Sequence, residues 1–245
     1  MALGLLRFTF NPARRAQLAD TCTAARQADG WLTDAEGMLL HELARRCEGS
    51  GAIVEIGSWR GRSTICLARG SREGGGTPVY AVDPHTGSIE HREELNEVNT
   101  LASFLHNIEK ASVEDLVIPL VAPSLEAAAS FEEPVELVFI DGAHDYESVR
   151  QDIAAWMPKL VTGGTVAFHD VVGEWDETWR AVHDLAVASG ELDRLRFVHS
   201  IVSARTRGRR SHVAALTSRS RFSYKRQYDR LRPTIGYVGR LVRPG

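Results

Sequence analysis

The segment Val54–Thr64, VEIGSWRGRST, runs from the end of a buried strand through a glycine turn into a helix. Residues 52–56 form a short apolar run rich in β-branched side chains, which is typical of a strand covered on both faces. Gly57 and Gly61 bracket a tight turn, and the hydroxyl residues that follow can cap the helix. Such a turn brings the backbone close to a ligand and directs free N–H groups at its polar atoms. The spacing is GxxxG rather than the GxGxxG of dinucleotide folds, so this segment predicts a ligand loop without identifying the ligand.

The next predicted strand, residues 78–82, ends in Asp83, which lies 26 residues beyond Gly57. A carboxylate at the tip of this strand is placed to accept hydrogen bonds from ribose hydroxyls. Asp83-Pro84 is also a turn signal, so a purely structural aspartate is an equal alternative.

The segment Leu137–Ile153, LVFIDGAHDYESVRQDI, repeats the order of strand, acidic loop and helix. Asp141 ends the predicted fourth strand, and His169 and Asp170 end the fifth. Because the carboxyl ends of neighbouring parallel strands meet at one edge of a sheet, we expect these side chains to converge. Two carboxylates and an imidazole around a wet pocket suit a hard divalent cation such as Mg²⁺. Such an ion could bind a substrate hydroxyl and lower its pKa.

Each of these residues also has a structural interpretation. Asp141 could be only the hydrogen-bonding end of its strand, His169 a packed core imidazole, and Asp170 the cap of a helix near residue 174. Their joint placement at two neighbouring strand ends favours a functional site. His144, in the acidic loop, is the predicted general base because an imidazole titrates near neutrality. The alternative is that His144 contacts the metal, directly or through water, and that Asp145 or His169 is the base.

Five motifs of the chain occur in the order known from one enzyme family. They are Glu55-Ile56-Gly57, Gly61-Arg62-Ser63-Thr64, Val82-Asp83-Pro84-His85, Ile140-Asp141-Gly142-Ala143-His144-Asp145-Tyr146, and Gly163-Gly164 through Phe168-His169-Asp170. Over about residues 30–217 the chain resembles class I S-adenosylmethionine-dependent methyltransferases. Its closest resemblance is to the small-molecule O-methyltransferases, which include sugar and macrolide (macrocin) O-methyltransferases and cephalosporin-hydroxylase-like proteins.

The resemblance implies S-adenosylmethionine as cofactor and assigns the residues that bind it. The loop from Gly57 to Gly61 is expected near the methionine part, Asp83 at the ribose and Ser124 beside the adenine. The other expected cofactor-binding residues are Glu55, Ser58, Ser63 and Asp141. Metal-dependent members usually place carboxylates at the positions of Asp141 and Asp170 and a further acid or amide beside the latter, where this chain has His169. The expected metal ligands are therefore Asp141, His169 and Asp170, and the expected catalytic residues are His144, Asp141 and Asp170.

Alternating strand and helix patterns predict the fold class. We expect an α/β, Rossmann-like fold with a seven-stranded, mostly parallel sheet, helices on both faces and a C-terminal antiparallel hairpin. A T-x-x-E capping box at Thr33–Glu36 starts one helix. The predicted strands lie near 52–56, 78–82, 116–121, 135–140, 164–168, 195–202 and 211–217, the last two joined by a turn at 205–210. The other predicted helices lie near 12–28, 63–70, 97–110, 124–130, 146–157 and 175–188.

The 245 residues fit one enzyme domain with a distinct tail. We predict a methyltransferase domain over 1–217, in which residues 1–50 form helices over the active site, and a basic tail over 218–245. The tail has eight Lys or Arg residues against one Asp, a net charge of +7, whereas the rest has 21 basic and 31 acidic residues, a net charge of −10. This split predicts that the tail packs on the acidic body of its own or a partner subunit, and we expect a homo-oligomer.

The sequence predicts methyl transfer to a hydroxyl of a sugar, a phenol or another secondary metabolite, assisted by a divalent metal. The acceptor itself is not specified. One alternative is a nucleic-acid methyltransferase, because the tail mixes arginines with aromatic residues that could stack on bases, although the acidic body would repel a polyanion. Another is a non-catalytic cofactor-binding protein. Scattered, unpaired cysteines and the lack of a signal core or membrane span predict a cytoplasmic protein.

Overall fold

The computed structural model of the protein describes residues 12–87, 99–172 and 175–231. Its centre is a seven-stranded sheet in the order β3-β2-β1-β4-β5-β7-β6. The strands are β1 Ala52–Ile56, β2 Val79–Val82, β3 Val117–Leu120, β4 Val135–Ile140, β5 Leu160–Phe168, β6 Leu192–Val198 and β7 Ile201–Thr206. The first five are parallel, and β7 lies antiparallel between β5 and β6. The predicted fold class is confirmed.

Helices cover both faces of this sheet. Every residue of β1 is buried, and alternate side chains serve opposite faces, since Ile53 joins one apolar cluster and Val54 the other. Helix α2 begins with the predicted capping box between Thr33 and Glu36. The helices are α1 Pro12–Ala25, α2 Asp34–Arg45, α3 Arg62–Glu73, α4 Leu101–Lys110, α5 Ser124–Ser130, α6 Tyr146–Trp156, α7 Asp176–Ala181 and α8 His212–Leu231. A π-helical segment, Val182–Val187, continues α7. None of the helices in the described ranges has the length and apolar character needed to span a bilayer.

The prediction of a strand at 211–217 is wrong. The antiparallel hairpin is made by β6 and β7, which turn at 199–200, and residues 212–231 form helix α8. The predicted strand window is too short to show a helical period. Ser218 and Phe222, four residues apart, are both buried, whereas Leu216 is 66% exposed. Helix α8 also crosses residue 218, so the first part of the predicted tail packs on the domain through Phe222.

The register of the parallel strands defines one edge of the sheet. Ile56 pairs with Val82 on one side and with Ile140 on the other, and Ile140 pairs with Phe168. The residues that follow these strand ends remain bonded across the edge: the Asp141 N–H donates to the Ile56 carbonyl at 2.8 Å, and the His169 N–H to the Ile140 carbonyl at 3.0 Å. The expected convergence of the predicted site residues follows from this register.

Candidate functional site

The glycine loop after β1 lies directly against the end of β4. Gly57 and Gly61 have φ angles of 85° and 88°, which favour glycine. A Cβ atom on Gly57 would lie 2.2 Å from the Asp141 carbonyl oxygen. Gly57 is therefore required for the close approach of the two strand ends, a reason independent of any ligand.

Several residues at the carboxyl edge of the parallel strands have strained backbones. Three non-glycine residues near it have left-handed backbones, with φ of 42° at Trp59, 53° at His85 and 50° at Asp170. Such conformations cost free energy and persist where surrounding contacts enforce them, commonly at functional sites.

Glu55 is a fully buried acid on β1. The Thr64 hydroxyl donates to one of its carboxyl oxygens, but the other oxygen, Oε1, has no hydrogen-bond partner among the described residues. Burial raises the pKa of Glu55 from 4.5 to about 8, against hydrogen bonds from Ser63 and Thr64 that lower it. The buried Ser58 hydroxyl likewise lacks a partner in the described part of the chain. Unpartnered buried polar atoms beside a glycine loop fit a polar ligand.

Asp83 holds the loop by its backbone. One carboxyl oxygen accepts from the Trp59 N–H at 2.8 Å, and the other accepts from the His85 N–H at 2.7 Å. Asp83 therefore has the structural role that its sequence context left open. Each oxygen retains a second acceptor site, so the same carboxylate can still bind ribose hydroxyls.

Ser124 is engaged within the protein. Its hydroxyl donates to Asp152 Oδ1 at 2.5 Å and accepts from the Trp156 indole at 2.9 Å. Burial raises the pKa of Asp152 to about 6. Asp152 was not recognised from the sequence, where it is one of several polar residues in a helix, and contact of Ser124 with adenine stays a prediction.

Asp141, His144 and Asp170 come together at the ends of β4 and β5. Each offers a ligand atom, and these atoms lie within 4.8 Å of one another. His144 Nε2 is 3.2 Å from Asp170 Oδ2, and the three side chains are each about one-fifth exposed. Burial raises the pKa of Asp141, whereas hydrogen bonds from His144 and His169 outweigh burial and hold the pKa of Asp170 far below its usual range. Two carboxyl groups with pKa values moved in opposite directions are typical of acid–base sites.

His169 lies between carboxylates rather than beside an open position. Its Nδ1 atom is 2.9 Å from Asp141 Oδ1 and 3.1 Å from Asp170 Oδ2, and its Nε2 atom is 3.7 Å from Glu36 Oε1. Burial lowers the pKa of His169, but the charge of Asp141 and hydrogen bonds to Asp141 and Asp170 raise it well above the ordinary value. The group of possible ligand atoms within 4.8 Å of one another contains His144 rather than His169, so the geometry favours His144 as a third ligand beside the aspartates.

Glu36 is an acid of this cluster that the sequence identified only as part of a capping box. It is buried, and Oε1 accepts from the backbone N–H and the hydroxyl of Ser200 at 2.9 and 2.7 Å. Burial raises the pKa of Glu36, but His169, Ser200 and Thr33 together lower it to about 2. No local signal could reveal this role, because it depends on how α2 packs against the ends of β5 and β7.

His144 and Asp145, neighbours in the acidic loop, have different surroundings. The Asp145 carboxylate caps α6 by accepting from the Ser148 N–H at 2.9 Å, and this bond lowers the pKa of Asp145. The His144 ring stacks on Trp175 with centroids 4.2 Å apart. Trp179, which lies in α7 four residues after Trp175, stacks on His183 and Phe222 instead.

Comparisons of sequence relate the central part of the chain to a known domain. Residues 54–171 match a family described as "Methyltransferase domain". An uncharacterized protein of Sinorhizobium fredii, y4gI, is 30% identical over 133 residues, which make up 54% of this chain and 14% of that protein. The chain thus spans about one-seventh of the length of that relative.

Solved structures share the fold, among them two O-methyltransferases. The O-methyltransferase TomG from Streptomyces achromogenes, in complex with S-adenosylmethionine, is 19% identical, with a TM-score of 0.55 over 78% of this chain and 89% of its own. The O-methyltransferase NovP is 18% identical, with a TM-score of 0.61 over 71% of this chain and 80% of its own. At these identities the likeness concerns the fold alone.

Proposed function

We propose that this chain, which carries a methyltransferase domain over residues 54–171, transfers a methyl group from S-adenosylmethionine to a hydroxyl oxygen of a small molecule. The observation that carries the proposal is the convergence of Asp141, His144 and Asp170 beside the glycine loop. Proton acceptors and possible metal ligands then lie next to the loop expected to hold the cofactor. TomG and NovP, both described as O-methyltransferases, support an oxygen acceptor.

The cofactor is supported by the polar atoms of the loop. Glu55 Oε1 and Ser58 Oγ have no partners among the described residues, and Asp83 retains acceptor sites. S-adenosylmethionine supplies a methyl group on a positively charged sulfur, already a strong electrophile. The protein must therefore contribute alignment of the acceptor and removal of its proton.

A divalent metal fits the acidic residues. Asp141 and Asp170 would hold it through carboxylate oxygens, which Mg²⁺ prefers, and His144 is within the same group. When bound, such an ion lowers the pKa of a hydroxyl that it contacts. A metal requirement stays part of the proposal.

His144 is the proposed general base. Its side chain is 23% exposed, and Asp170 beside Nε2 stabilises the charge that the ring gains with a proton. The competing bases are less suitable, because Asp145 caps a helix and the buried His169 has its Nδ1 atom between Asp141 and Asp170. If His144 instead ligates the metal, water would have to take the proton.

The proposed class of methyl acceptor includes several kinds of small molecule. TomG is described as involved in tomaymycin synthesis, which supports a secondary metabolite as acceptor. Sugar hydroxyls and phenols fit the same site chemistry. A panel of glycosylated and phenolic metabolites, screened by mass spectrometry for the gain of one methyl group, tests this class.

Calorimetric titration with S-adenosylmethionine and S-adenosylhomocysteine tests the cofactor. We expect Asp83→Ala to weaken binding by about 1.5–3 kcal/mol, as for hydrogen bonds to a charged group. Asp83→Asn keeps one acceptor oxygen for the loop and should weaken binding less. Glu132→Ala, which removes an exposed acid, is the control and should bind normally. Failure of the unmodified chain to bind either compound would refute the proposed function.

Chelation tests the metal. A chelator or Asp170→Asn should abolish transfer and leave the affinity for S-adenosylhomocysteine nearly unchanged, because the metal and Asp170 serve the acceptor. Asp141→Asn should abolish transfer as well. His144→Ala should lower turnover by about 10²–10⁴-fold, the usual contribution of a general base. Full activity in chelator would remove the metal from the proposal, and normal turnover of His144→Ala would remove the base.

A further inference from the structure

Helix α7 holds His144 by its ring and by its backbone. The Trp175 ring, at the start of the helix, stacks on the His144 ring with an interplanar angle of 24°. The Thr178 hydroxyl donates to the His144 carbonyl oxygen at 3.0 Å. The stack restrains rotation of the imidazole, and the hydrogen bond fixes the backbone that carries it.

Helix α7 also holds the next part of the acidic loop. Glu177 Oε2 accepts from the Tyr146 N–H at 3.2 Å, and the Arg180 guanidinium lies 5.3 Å from the centre of the Tyr146 ring. Four contacts of different kinds thus connect one short helix with His144 and Tyr146, on either side of Asp145.

Helix α8 in turn contacts α7. The Arg226 guanidinium lies 4.0 Å from the centre of the Trp179 ring and forms an ion pair with Asp176 at 2.5 Å. The Phe222 side chain, which is 1% exposed, stacks on the Trp179 ring with a centroid distance of 5.3 Å. The charge of Arg226 is therefore engaged by Asp176 and Trp179 of the same chain.

Helix α7 needs this external support. Its six α-helical residues, Asp176–Ala181, continue directly into the six residues of the π-helical segment, and even the combined helix is too short to have much stability of its own. Its orientation therefore depends on packing against its neighbours. Helix α8 contributes an ion pair and an aromatic stack to that packing. A displacement of α7 would move Trp175 and Thr178 together.

We propose that α7 and α8 form a brace that positions His144, with Trp175 and Thr178 as positioning residues and with Trp179 and Arg226 connecting the two helices. This inference rests on the proposed role of His144 as general base. It gives the basic C-terminal helix a function within the chain: the helix keeps the imidazole aligned toward the acceptor. Small errors in alignment can lower a rate by about 100-fold.

The first experiment observes His144 directly by NMR in the full chain bound to S-adenosylhomocysteine. The Trp175 ring current should shift the His144 Hε1 signal upfield, and His144→Gln assigns that signal. We expect Trp175→Leu to remove the shift and Trp175→Phe to retain most of it. Thr178→Val, which loses only the hydroxyl donor, should alter the His144 signal, and Thr178→Ser should restore it.

The second experiment tests the connection through α8. Arg226→Ala should speed hydrogen exchange of the amides at 141–146 and broaden or move the His144 signal, although residue 226 does not touch that loop. Arg221→Ala removes the same charge from an exposed position of the same helix and should change neither. With an acceptor that the unmodified chain methylates, Arg226→Ala and Trp175→Leu should lower kcat about 10- to 100-fold at unchanged KM for S-adenosylmethionine.

The two proposals fail in different ways. Absence of methyl transfer by the unmodified chain would count against the proposed function, while the NMR and exchange results would still decide whether the brace exists. Unchanged His144 signals and loop exchange in both Arg226→Ala and Trp175→Leu would overturn the brace. A changed His144 signal with normal kcat would show that the brace does not serve catalysis.

Discussion

Glu55 gives a prediction at the scale of a single residue, because its acid group is buried and one of its oxygens lacks a hydrogen-bond partner among the described residues. Burial raises the pKa of Glu55 from 4.5 to about 8, so the folded chain keeps a proton that the unfolded chain releases near pH 4.5. The stability from this group is therefore complete below pH 4.5 and is lost as the pH rises through 8.

Glu55→Gln should stabilise the cofactor-free chain at alkaline pH. Glutamine stays neutral, so the variant should exceed the unmodified chain by on the order of 1–3 kcal/mol at pH 8, the usual cost of an unsatisfied buried polar group, and by little at pH 5. Urea unfolding at the two pH values measures the gap. A gap of equal size at both would mean that ionisation of Glu55 is not its cause, and Glu132→Gln should show no gap at either.

His169 shows what residue type and spacing could not predict. The sequence placed it at the end of β5 among possible metal ligands, and it does lie there. Its nitrogens, however, face Asp141, Asp170 and Glu36, and their charges favour the protonated ring. A histidine that holds two acids together and one that ligates a metal have the same local sequence context.

At the scale of an element, the N-terminal cap of helix α6 allows a test of whether Asp145 is a structural or a catalytic acid. Asp145→Ala should destabilise the chain by about 1 kcal/mol, because the Ser148 N–H loses its cap. Asp145→Ser should retain most of that stability, since serine also caps helices but cannot act as a carboxylate base. Unfolding and turnover are measured on both variants. A serine variant that is stable but has lost turnover would assign Asp145 to catalysis.

At the scale of the whole molecule, helix α8 determines the effect of removing the basic C-terminal residues. A chain ending after Thr217 lacks the buried Phe222 and should be destabilised by about 3–5 kcal/mol, the usual range for loss of a core phenylalanine. A chain ending after Leu231 keeps α8 with Phe222 and should not show this particular loss.

Light scattering on the same two truncations separates packing from association. Loss of stability with an unchanged number of chains per particle would assign α8 to its own domain. A fall in the number of chains per particle would support the predicted homo-oligomer, in which the basic segment crosses to a partner.

The nucleic-acid alternative is also decided by these chains. Arg219 and Arg221 remain exposed on α8, whereas Arg226 is paired with Asp176. Salt-dependent retention of RNA by the full chain, and none by the chain ending after Thr217, would support nucleic-acid binding. We expect no retention by either, because the acidic body repels a polyanion.

The sequence by itself determined the order of strands and helices through β5, the glycine loop, and the placement of Asp83, Asp141 and Asp170 at one edge. These features follow from local rules: apolar runs define buried strands, turn residues end them, and parallel register brings their carboxyl ends together. The family match over residues 54–171 agrees with the methyltransferase resemblance that these motifs carried.

Only the tertiary structure decided the surroundings of the imidazoles. Glu36 reaches Ser200 across 164 positions of sequence, Trp175 covers His144, and α8 replaces a predicted strand. Such contacts depend on which faces of distant helices pack together. That choice is made by burial summed over the whole core, so no local pattern of residues can reveal it.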